Sequence, residues 1–164
     1  SEMCIRDRQN PQSLVARRAL ANLQLAAREW EPAIETLEDL RAAIGNRDAL
    51  LMAQLGYAYS GAGDAPTATI YARHGYSLAP MNPAVCDAYG WALYEGGNTP
   101  GALQLLVKAS KLAPAHAGIA WHLAQALAEA GRKAEARAQI SIALRDPAFP
   151  DRAPATALLQ ALAG

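Results

Sequence analysis

The chain has 164 residues, with fifteen basic side chains balancing fifteen acidic ones and a pI near 6.8. That length supports a core without metal or disulfide staples, and the even charge argues against a nucleic-acid partner or a polybasic membrane patch. The hydrophobic fraction is 52%, nearly half of it alanine, while aromatics reach only 6%, a balance that suits closely packed helices better than a β core.

In chain order, the opening SEMCIRDR (residues 1–8) fits no later pattern. It resembles a translated sequencing adapter and is expected to be non-native or disordered, with the folded domain over 9–164. From Leu14 onward the chain repeats itself. Registers beginning at Leu14, Ala49, Pro83 and Ala117 lie 35, 34 and 34 residues apart. One column reads Ala21, Gly56, Gly90, Ala124, and another, twelve residues on, reads Ala33, Ala68, Ala102, Ala136. Both stay small throughout. Just before the first column stand Leu20, Leu55, Tyr89 and Leu123, and near the unit ends come Gly45, Pro80, Pro114 and Ala148, the last flanked by Pro147 and Pro150.

Each unit reads as two antiparallel helices joined by a tight turn. In the third, Cys86, Tyr89, Gly90 and Leu93 share one helical face. Gly96-Gly97-Asn98 then makes the turn, Asn98 or Thr99 caps the next helix, and Pro100 sits in its first turn. Small residues at the crossing let the backbones approach, and prolines stop the second helix. Gly90 and Ala102 are expected to touch there. The prediction is an all-α solenoid of about four antiparallel hairpins, over roughly 14–48, 49–82, 83–116 and 117–150. A capping helix at about 151–163 is expected to start at Asp151 and cover the last hairpin with Leu158, Leu159 and Leu162.

From about Leu14 to Ala148 the pattern resembles the tetratricopeptide repeat. The second copy, LMAQLGYAYSGAGDAPTATIYARHGYSLAP, places Leu55-Gly56, Tyr59, Gly63, Ala68 and Pro80 as the family pattern does. The first copy departs from it, with Arg17 in an apolar column and Arg28 in place of the turn glycine. The resemblance implies a right-handed superhelix whose first helices line a concave groove. Carried onto this sequence, the groove residues are Arg18, Asn22, Tyr57, Asp87, Trp91, Tyr94, Trp121 and Gln125, with Trp91 and Trp121 either as the anchors or packed between adjacent first helices. An aromatic strip with hydrogen-bonding neighbours suits an extended peptide or a helix. A carboxylate clamp for chaperone tails is a poor match, because Tyr57 stands where asparagine and Ala84 where lysine would be needed. The stretches GWALYEGGNTPGALQLLVKASKLAP and GRKAEARAQISIALRDPAFP resemble the repeats of exosortase-linked and exopolysaccharide-export tetratricopeptide proteins.

Other chemistry is weakly signalled. His74, His116 and His122 lack ligand partners at metal spacing, and GGNTPG has no following Lys-Ser or Lys-Thr for a phosphate loop. Glu35, Glu38 and Asp39 read as a solvated face, and Cys86 as a buried small hydrophobe. Cys4 and Cys86 form no disulfide framework. Prolines 80, 83 and 114 break the longest apolar stretches, so no membrane span is expected. The expected function is a non-catalytic scaffold for a protein or peptide partner, with no cofactor or metal. The alternative is the repeat tail of a larger enzyme such as a glycosyltransferase.

Overall fold

A computed structural model describes residues 11–164, and the opening segment 1–8 lies outside them. Helices pair in sequence: α1 (Pro11–Ala26) with α2 (Trp30–Ile44), α3 (Ala49–Gly61) with α4 (Ala65–Leu78), α5 (Pro83–Glu95) with α6 (Thr99–Leu112), and α7 (Ala117–Glu129) with α8 (Lys133–Ala143). A last helix, α9 (Arg152–Ala161), packs on α8. First helices also touch the next first helix, α3 on α5 and α5 on α7, which makes the stack a solenoid. Among the described residues there is no strand.

The boundaries follow from local chemistry. Asp48, Asn82 and His116, at a 34-residue spacing, stand at the N-caps of α3, α5 and α7, and their side chains accept backbone N–H bonds from Leu51, Val85 and Ile119. Asp64 and Asn98 cap α4 and α6 through Thr67 and Gly101. Each such bond satisfies a donor that the first helical turn leaves free. At the turns, Gly63, Gly97 and Gly131 take positive φ of 85°, 82° and 76°.

Small residues occupy the crossings. A Cβ on Gly56 would lie 2.8 Å from that of Ala72, and one on Gly90 would lie 2.8 Å from Cγ of Leu106. The first neighbour of Gly90 is thus Leu106, one turn beyond the Ala102 expected from the register. Ala102 is nevertheless fully buried in the same hairpin. Cys86 is buried, its thiol hydrogen-bonded to the Pro80 carbonyl at 3.3 Å, and burial pushes its pKa up.

The acidic face expected on α2 needs a correction at Glu38. Glu35 and Asp39 point to solvent or its edge, but Glu38 accepts from Tyr71 at 2.5 Å and Tyr59 at 3.2 Å and pairs with Arg41 at 2.6 Å. Tyr59 and Tyr71 stack at 5.5 Å. The register could not show this, because the tyrosines come from the next hairpin.

Candidate functional site

Residues of the first helices α1, α3, α5 and α7 face one side of the stack, and the segment after α8 returns across one end of it. Between them lies a groove of about 780 Å³, walled by Leu50, Ala53, Tyr57, Ile119, Trp121 and Phe149 and edged by Arg28, Asp87, His116, His122, Asp146 and Asp151. Tyr57 meets Trp30 edge-on at 5.6 Å, and burial raises the pKa of its hydroxyl.

Beside Tyr57 runs a connected aromatic strip. His122 stacks on Trp91 at 4.2 Å and 18°, and Trp91 stacks on Tyr94 at 5.0 Å. Nδ1 of His122 lies 2.9 and 3.0 Å from the two Asp87 oxygens. A carboxylate only accepts, so that nitrogen donates and the ring orientation is set. Burial first, then Glu129, pushes the Tyr94 hydroxyl up to about 12.

Of the residues expected in the groove, the cavity is lined by Tyr57, Asp87 and Trp121. Trp91 and Tyr94 continue the strip alongside it, Trp91 half-covered by His122. Arg18 pairs with the capping Asp48 at 2.5 Å and so braces α1 against α3. Asn22 accepts from Gln54 at 2.7 Å, and Gln125 turns toward the Trp121 carbonyl at 3.4 Å. Trp121 is the most enclosed of the residues expected in the groove. Its ring is only 8% exposed and packs against Phe149 at 6.4 Å, so it forms wall and core rather than an open anchor. Among the described residues, no group of three His, Cys, Asp or Glu is placed to hold a metal, and no helix is long and apolar enough to cross a membrane.

Residues 93–162 match the family model for the tetratricopeptide repeat, and the paired helices superpose on solved members of that fold. The fold is a tetratricopeptide-like helical solenoid. Similar structures include a thermophilic tetratricopeptide protein of Thermus thermophilus, 25% identical with a TM-score of 0.73 over 93% of this chain and 82% of that one. Another is pilF of Pseudomonas aeruginosa, 21% identical with a TM-score of 0.70 over 91% and 67%. The Yersinia enterocolitica type III secretion chaperone SycD, solved with a peptide of the translocator YopD, is 15% identical with a TM-score of 0.59 over 68% and 89%. No curated protein matches the sequence.

Four groove residues of the solenoid escape the repeat register. His122 sits one position past Trp121, on the side of α7 that meets α5. Phe149 and Asp151 belong to the proline-rich return after α8, where periodicity stops. Arg28 did carry a signal, as the non-glycine in a column of turn glycines.

Proposed function

We propose that this solenoid is a non-catalytic scaffold that holds an extended segment of a partner protein in its concave groove. The observation that carries the reading is the cavity itself. It holds about 780 Å³, is walled by aromatic and aliphatic side chains, and is edged by polar groups held by their own hydrogen bonds. Such pre-ordering lowers the entropy cost of binding. Among the described residues no serine, threonine, cysteine or lysine lines the cavity. SycD, which shares this fold, is solved in complex with a peptide, which supports the reading. The link to exopolysaccharide export rests on sequence resemblance alone.

The test is selection of short peptides from a random display library, followed by fluorescence anisotropy. Ala84→Trp, which fills the groove from an exposed lining position, should weaken the selected peptides by about tenfold or more. Charge reversal of Arg73, Lys108 and Arg137 on the second helices should leave binding within about twofold. The reverse pattern would move the working surface to the second helices.

A further inference from the structure

Arg28 occupies the turn column that is glycine in the other three hairpins, and it takes the same left-handed backbone, φ 59°. That conformation strains any residue with a Cβ. Its guanidinium reaches across the groove to the carboxylate of Asp151, 123 residues away. Asp151, at the N-cap position of α9, makes no side-chain cap bond there. Both residues thus forgo the usual local role of their position and close the groove mouth between the first turn and the last helix.

Charge around the mouth is lopsided. Three carboxylates, Asp87, Asp146 and Asp151, line the cavity against the one guanidinium of Arg28. The His122 ring engages Asp87. Asp146 accepts from the Ala148 N–H at 2.9 Å, and nearby Arg152 is turned onto the carbonyls of Leu144 and Asp146 instead of the carboxylate. Without Arg28 the mouth is acidic above an apolar wall.

Resting on the groove reading above, we propose that the occupant is an extended peptide carrying lysine or arginine between apolar residues. Arg28 is the internal stand-in for that cation. Its side chain is 54% exposed, and an ion pair so open to water exchanges readily. An incoming cation displaces it from Asp151, while neighbouring apolar side chains settle on Tyr57, Leu50 and Ile119. Complementary charge then selects the partner as the apolar wall holds it.

The experiment uses two labelled short peptides, one alternating leucine with lysine and one with glutamate replacing each lysine. The lysine peptide should bind about tenfold more tightly, and less so in high salt. Arg28→Gly restores the residue of the other turns and so keeps the fold. It should tighten the lysine peptide by roughly twofold to fivefold by freeing Asp151, whereas Asp151→Asn should weaken it by a similar factor. Tighter binding of the glutamate peptide, or weaker lysine-peptide binding in Arg28→Gly, would overturn the proposal. If the glutamate peptide wins but loses its binding in Ala84→Trp, the groove stands and the charge assignment alone falls. If Ala84→Trp affects neither peptide, the groove reading falls too.

Discussion

The Trp121 indole closes the C-terminal end of the groove in a T-shaped pair with Phe149, within a cluster that includes Ile140, Ala143 and Ala155. Trp91 comes from the preceding first helix, yet it is only half-buried, between Tyr94 and His122. Helical period puts both tryptophans on the side away from the hairpin crossing, and that much was readable. What distinguishes them is Phe149, delivered by a proline-rich return with no period to read. Truncating a buried tryptophan costs its transfer energy and leaves a cavity. Trp121→Ala should therefore lower the unfolding free energy by about 3–5 kcal/mol in a urea titration. Trp91→Ala should cost less, since water already reaches its ring. A Trp121→Ala loss below about 1 kcal/mol would restore that residue as an open anchor.

Between helices, the contact most dependent on protonation is Glu38 on α2 with Tyr59 on α3 and Tyr71 on α4. Burial alone would raise the Glu38 pKa, but the bonds from Tyr71 and Arg41, with Tyr59, outweigh it and leave the value below 4.5. The same carboxylate, after burial, helps push the Tyr71 hydroxyl up to about 12. A carboxylate with a depressed folded pKa binds its proton more readily when unfolded. Its contribution is thus complete above about pH 4.5 and is lost as pH falls through the lower folded value. Glu38→Gln keeps an acceptor for the tyrosines but removes the titration. The melting-temperature gap between wild type and this variant should be flat near neutrality and narrow below about pH 4.5. A gap that stays constant into acid would mean Glu38 is solvated, as its place in an acidic run first suggested. Other depressed carboxylates, such as Asp48, titrate in both proteins and cancel in the difference.

Across the whole molecule, the repeat was legible because each hairpin solves the same packing problem with the same columns. Leu55 and Leu123 are buried, but their counterpart Leu20 is 47% exposed, and on the same helix Val15 and Leu23 are 67% and 69% exposed. Identical columns thus differ in burial by position in the stack, which no single register can state. In a linear array each hairpin draws stability from its neighbours, so inner hairpins should open last. Native-state hydrogen exchange should show the greatest protection in α3 to α6 and the least in α1, whose outer face lacks a described neighbour. The Arg28–Asp151 pair joins the two ends, but its exposure makes it too weak to reverse that order. Gly90→Leu provides the perturbation. Its side chain would be driven into Leu105 and Leu106 and should cost about 1–3 kcal/mol. Protection should fall first in α5 and α6, next in α3, α4 and α7, which pack on them, and least in α1 and α2. A uniform fall across all the helices would show that the solenoid unfolds as one cooperative block, without the nearest-neighbour coupling of a repeat array.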